Sequence, residues 1–262
     1  MRAKELLGDL KRLGGSRSVL IRADDKSRYN VKLMENDQGI RVLPNELVAS
    51  QLAAELGVPS PEGVIVELDQ TFLQANPTLG TRYARPVTQG AHFGSMVVRN
   101  TFDNPPPALI NSVSNKGDFP QIVVFDVLTQ NSDRANAGNF LIVRPDHYPQ
   151  QTHFVSVDHG HCFGYNWDLN LPQRVGSRCR SHLREITDAI SGPDPFRPAI
   201  AEARGISPEW FDELLSQLPQ ERGVSPEELN ALKSFVLGQA MRLEEILIRE
   251  RGLFPNWRER SG

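Results

Sequence analysis

An α+β fold of two lobes is predicted: a small β-rich lobe with one helix, then a mainly helical lobe carrying a single hairpin. Three observations predict it. Short β-runs gather around one amphipathic helix in the first part of the chain. A loop rich in Asn and Asp then leads from an apolar segment into two further β-runs. Beyond residue 182 only helical patterns follow. The 262 residues read as one domain, with 1–86 as the first lobe and 87–262 as the second.

Residues 18–23 and 29–33 are β-runs separated by the turn 24–27, Asp-Asp-Lys-Ser. A helix starts at Pro44 and runs to Leu56, with Leu47, Val48, Leu52 and Leu56 on one face and Gly57 and Pro59 stopping it. Residues 64–68 return to strand, and 81–86 lead into a stretch of low regularity. Pro105, Pro106 and Pro107 mark a loop or lobe junction. Residues 121–130 are strongly apolar and fit a buried helix. The runs 140–143 and 153–157, joined by the polar turn 144–151, read as a hairpin. A polar loop at 164–181 precedes helices at 182–191, 207–217 and 225–250. The last two open on a serine N-cap, proline at the first helical position and an acidic first turn.

Composition narrows the class. Hydrophobic content of 39% and charged content of 23% belong to an ordinary globular protein with a real core. A formal net charge of −3 gives no basic footprint for nucleic acid; Arg174, Arg178, Arg180 and Arg184 read as a solvated face. Two cysteines, Cys162 and Cys179, exclude a disulfide scaffold and fit a reducing compartment. No run has the length of a membrane span, and charges interrupt any signal-like segment at the N-terminus, so a cytoplasmic location is expected.

The chemistry gathers at the hairpin. In an antiparallel pair the start of the first strand lies beside the end of the second. Asn139 and Asp158 flank those ends, and Asp133 stands on the loop just before. Two carboxylates and an amide at one mouth suit magnesium and phosphate, and hence phosphoryl transfer. The bland reading of 131–139 is a cluster of Asx turns. Lys32 interrupts an apolar strand, either as a surface residue or as a buried cation awaiting an anion. Glu46, in the first turn of the next helix, favours the second reading, although a glutamate there also suits the helix dipole. Gly14, Gly15 and Ser16 form a turn whose backbone N–H groups could cradle phosphate, or merely a tight turn. His153, His159, His161 and Cys162 bring imidazole and thiolate close together, but their spacing matches no familiar zinc pattern. A metal-dependent hydrolase built on Asp133, Asp158 and those histidines stays open as an alternative.

In order along residues 10–165, the chain resembles the HipA-like kinase family. The resemblance rests on Gly14-Gly-Ser16, Ala23-Asp-Asp25, Tyr29-Asn-Val-Lys32, residues 39–48 (Gly-Ile-Arg-Val-Leu-Pro-Asn-Glu-Leu-Val), and Gly57-Val-Pro-Ser-Pro61. It continues in Asn131-Ser-Asp-Arg134, Asn139-Phe-Leu-Ile142 and Val157-Asp-His-Gly160. It implies a protein-kinase-like fold, distantly similar to phosphoinositide kinases, with ATP and Mg²⁺ as cofactors and a hydroxyl-bearing protein or small molecule as acceptor. Lys32 would contact the α/β-phosphates and pair with Glu46. Gly14, Gly15 and Ser16 would cover the phosphates, and the backbone near Tyr83 and Ala84 would form the adenine hinge. Asp133 would be the catalytic carboxylate, with Asn139 and Asp158 holding the metal. Such kinases place the metal-binding asparagine one residue nearer the catalytic Asp, at the position filled here by Gly138. Asn136 therefore rivals Asn139 as a ligand, and a pseudokinase that only binds nucleotide is the alternative to an active enzyme.

Overall fold

Alternation of buried and half-buried residues along Val19–Ala23 sets the first sheet. Val19, Ile21 and Ala23 point inward, and opposite them Val31 and Tyr29 are likewise buried. The computed structural model describes residues 1–9, 18–35, 38–81, 85–147, 151–219 and 223–258. Its strands are β1 (Ala3–Asp9), β2 (Val19–Ala23), β3 (Arg28–Lys32), β4 (Gly63–Leu68) and β5 (Gly90–Met96). They lie in the order β1-β2-β3-β5-β4, every neighbouring pair antiparallel. The sheet thus reaches beyond residue 86, taking in β5. An added Cβ at Gly94 would lie 2.5 Å from Val66 Cγ2, so β5 needs glycine there to sit against β4.

Helix α1 (Val42–Glu55) begins two residues before the expected Pro44, which occupies the first turn, where a missing N–H costs nothing. It is buried on nearly every side because it lies between the sheet and the second lobe. The short α2 (Gln70–Ala75) is capped by Asp69. The first lobe therefore has two helices instead of one.

The expected hairpin is present as β7 (Phe140–Val143) and β8 (His153–Ser156), with Phe140 opposite Ser156 and Val143 opposite His153. A short β6 (Thr101–Asp103) adds to β7, giving the order β6-β7-β8. Between them come α3 (Pro107–Ile110) and the apolar α4 (Phe119–Thr129). The chain then forms α5 (Arg184–Asp188), α6 (Arg197–Gly205), α7 (Pro208–Ser216) and α8 (Pro226–Arg249). Ser207 caps α7, and Ser225 with Glu228 forms a full capping box on α8. On α8, Leu232, Phe235, Val236, Leu243, Ile246 and Leu247 are buried, whereas Met241 is exposed although it shares the apolar spacing. One large apolar cluster unites α1, α4, α6, α7 and α8; a smaller one fills the first sheet. Among the described residues no helix is long and apolar enough to cross a membrane.

Candidate active site

Strand alternation turns Tyr29 and Val31 into the sheet's own core and sends Lys32 to the opposite face, toward α1. There its ammonium is ion-paired with Glu46 and lies 2.6 Å from Asp158 Oδ1. The second Glu46 oxygen accepts the backbone N–H of His159 at 3.0 Å, tying α1 to the segment that leaves β8. Burial opposes the charged form of Lys32, yet Asp158 and Glu46 more than offset it and hold its pKa above the ordinary lysine value. Burial raises Glu46 despite Lys32. Asp158 also suffers burial, but Lys32 holds its carboxyl well below the usual range. Asp158 adopts a left-handed φ of 60°, a backbone strain that the Lys32 contact helps to hold. Gly160 leaves little room at the same point: an added Cβ would lie 3.2 Å from Glu46 Oε1.

The second group sits on the loop between α4 and β7. Asn139 Nδ2 donates to the Asp133 carbonyl at 2.7 Å and to Asp133 Oδ2 at 2.8 Å. A 3-10 turn over Ala137–Asn139 takes up the additional residue between them. Asn136 is exposed; its Nδ2 also donates to Asp133 Oδ2, at 3.4 Å, but its Oδ1 caps that turn by accepting the Gly138 N–H at 3.0 Å. Asn131 Oδ1 accepts the Asp133 N–H at 3.1 Å, so an Asx turn does shape this loop, alongside whatever else it does.

Arg134 joins the two groups, a role its sequence neighbourhood did not reveal. Fully buried, it donates from Nε to Asp126 at 2.9 Å and from Nη1 to the carbonyls of Asn139 and Val157, each at 3.2 Å. Its Nη2 meets His159 Nδ1 at 3.2 Å. Arginine only donates, so His159 Nδ1 accepts and Nε2 carries the proton toward Ser60 Oγ at 3.2 Å. Burial first, and Arg134 second, press the His159 pKa well below the ordinary imidazole value. The available signal was Asp126 itself, a carboxylate in an apolar run that needs a buried cation. Asn45, beside Glu46, was also missed. Its Nδ2 donates to the carbonyls of Gly160 and Tyr165, each at 2.8 Å, and its Oδ1 accepts Trp167 Nε1–H at 2.6 Å.

The histidines do not assemble. His153 starts β8 while His159 is bound as above, and His161 stacks on Tyr165 with ring centres 4.7 Å apart. Burial pushes the thiols up, Cys162 strongly and Cys179 to about 12, so neither is an activated nucleophile. Among the described residues no three His, Cys, Asp or Glu side chains converge as a metal cluster. Gly14, Gly15 and Ser16, between β1 and β2, lie outside the described residues, as do Tyr83 and Ala84. The latter pair also precedes β5, whereas the chain passes from the first sheet to the second through residues 97–100.

Residues 7–229 match the family of HipA-like kinases. No curated protein matches the chain. Among solved structures, the Helicobacter pylori proinflammatory kinase CtkA aligns with a TM-score of 0.55 at 14% identity, over 92% of this chain and 93% of that one. A Golgi casein kinase solved with Mn/ADP bound aligns with a TM-score of 0.56 at 13% identity, over 97% of this chain and 74% of that one. At such identities the likeness is one of fold: a two-lobed, protein-kinase-like arrangement with an antiparallel sheet first and helices after.

Proposed function

Because the chain belongs to the HipA-like kinase family, we propose that it is an ATP- and Mg²⁺-dependent phosphotransferase that moves the γ-phosphate to a hydroxyl acceptor. The observation that carries this reading is Lys32 held at once by Glu46 and Asp158, with the Asp133–Asn139 pair linked to them through Arg134. Lys32 binds the α/β-phosphates, and Glu46 keeps its ammonium in place. Asp133 orients the acceptor hydroxyl and takes its proton. Asn139 spends its amide N–H on Asp133, which leaves its carbonyl oxygen for a cation. Asp158 is a carboxylate with a third of its side chain exposed, 34%, so the two supply the hard oxygen donors that Mg²⁺ requires. Bound there, Mg²⁺ would neutralise charge on the phosphate oxygens. Gly14, Gly15 and Ser16, which lie between β1 and β2 in the chain, would cover the phosphates, as the family resemblance implies. The adenine edge is assigned to the backbone near Tyr83 and Ala84, with the 97–100 connector between β5 and β6 as the rival position.

Incubation of the purified protein with labelled ATP and Mg²⁺, alone and with a cell lysate, tests the reading. Label transfer should disappear in both Asp133→Ala and Asp158→Ala. Stabilisation by nucleotide without transfer would identify a binding module instead, and the absence of any nucleotide effect would sink both.

A further inference from the structure

We propose that Arg178 and Arg180 form an anion-recognition fork beside the catalytic loop, so that the hydroxyl acceptor carries a carboxylate or phosphate group. The inference rests on the phosphotransferase reading and names its substrate class. The segment bearing the fork is fixed against the site. Cys179 Sγ donates to the Asn131 carbonyl at 3.2 Å, and Ser181 Oγ accepts the N–H of Ala135, two residues beyond Asp133, at 3.0 Å. From the other side the fully buried Gln239 on α8 accepts the Gly176 N–H at 2.7 Å and donates to the Ser177 carbonyl at 3.1 Å. The two arginines flank Cys179 within this clamp.

Both are anchored by a single carboxylate beneath them. Arg180 Nε donates to Glu250 Oε2 at 3.3 Å, and Arg178 Nε is ion-paired 2.9 Å from Oε1 without donating to it, with the Glu250 side chain only 3% exposed. Two guanidiniums over one carboxylate leave an excess positive charge. The arginine side chains are 45% and 63% exposed, and among the described residues their Nη groups have no further partner. Arg180, held through Nε, presents its remaining N–H donors as a planar fork that matches carboxylate or phosphate oxygens, and Arg178, ion-paired to the same carboxylate, adds a second guanidinium beside it. Ordinary surface pairs here look different: in Arg184–Asp188 and Arg242–Glu245 both partners are exposed. A merely solvated basic face gives no reason to bury a carboxylate under two arginines.

The full chain is titrated with fluorescent serine peptides flanked by Glu or by Gln, and with a sugar phosphate. The Glu peptide should bind roughly ten-fold or more tightly than the Gln peptide, with the preference shrinking as salt rises. R178Q/R180Q should abolish the preference while nucleotide affinity stays unchanged. That variant leaves Glu250 buried without its partners, so R178Q/R180Q/E250Q is measured beside it, with a melting curve to show that it folds. Tighter binding of the Glu peptide than of the sugar phosphate assigns a protein acceptor; the reverse assigns a small phosphorylated one. Equal binding of both peptides with no binding of sugar phosphate overturns the proposal, even with phosphate transfer intact. An anion preference that persists where no transfer is found would overturn the phosphotransferase reading and with it the acceptor assignment, leaving Arg178 and Arg180 as an anion site only.

Discussion

Arg134 spends its guanidinium on Asp126, two carbonyls and His159, and none of it reaches solvent. Removing one partner of such a pair strands a buried charge, so Arg134→Met should lower unfolding free energy by about 3–5 kcal/mol in denaturant titrations. Adding Asp126→Leu should recover part of that loss; a single-variant cost below about 1 kcal/mol would mean Asp126 is satisfied without Arg134. His159 titrates with the opposite environment from Lys32. Its folded pKa lies below the ordinary 6.5, so its contribution is complete above that pH and is lost as the pH falls below it. The melting temperature should therefore drop on acidification below pH 6.5, and His159→Gln should flatten that slope. At this scale legibility followed the strangeness of each residue in its setting. Lys32 in an apolar strand and Asp158 at a strand end stood out, whereas Arg134 beside Asp133 resembled any charged loop residue. Its partner lies on another element, and no local pattern names it.

Helix α1 does more than present Glu46. Arg41 at its N-terminus is ion-paired with Glu228 on α8 and stacks over Trp167 at 4.4 Å, while Asn45 holds residues 160–167 through three hydrogen bonds. The segment leaving Asp158 is thus fixed by neutral and cationic side chains of one helix turn. Asn45→Ala should cost about 1–3 kcal/mol, because a buried carbonyl, a part-buried one and a buried indole N–H lose their partner. Phosphate transfer should fall and hydrogen exchange should quicken across residues 160–167; unchanged exchange there would show that Trp167 packing alone fixes the segment. The helices opened by Ser-Pro-Glu were legible because each cap is a local pattern satisfied by its own side chain. Strands β1 and β5 were not. Ala-Lys-Glu-Leu-Leu-Gly-Asp is made largely of good helix formers, and Gly-Ala-His-Phe-Gly-Ser-Met is small and glycine-rich. Their strand state comes from the partners they pair with, which local propensity does not contain.

Across the whole molecule the two apolar clusters divide the chain unevenly. Leu47, Val48 and Leu52 of α1 pack into the same cluster as Phe125 of α4 and Phe235 of α8, although α1 lies between strands of the first sheet in the chain. The sheet retains a small core of its own, built on Val19, Ile21, Tyr29, Val31 and Val66. Local stability follows the apolar contacts that each unit can lose independently. The sheet should therefore open by a lower-energy route than the helical part, with α1 remaining on the helical side. Tyr29 offers a handle on that route. Burial, aided by the hydrogen bond to Asp25, pushes its phenol up to about 12, so the folded state keeps a proton that the unfolded chain releases near the ordinary tyrosine value of 10.0. Its contribution is complete below pH 10 and is lost as the pH rises toward 12. Hydrogen exchange should show amides of β2 and β3 less protected than those of α4 and α8. Raising the pH from 10 toward 12 should weaken the sheet first, and Tyr29→Phe should blunt that loss. Equal protection in both regions, or loss of α1 together with the strands, would show that the Lys32–Glu46–Asp158 contacts bind the sheet to the helices more strongly than its separate core sets it apart.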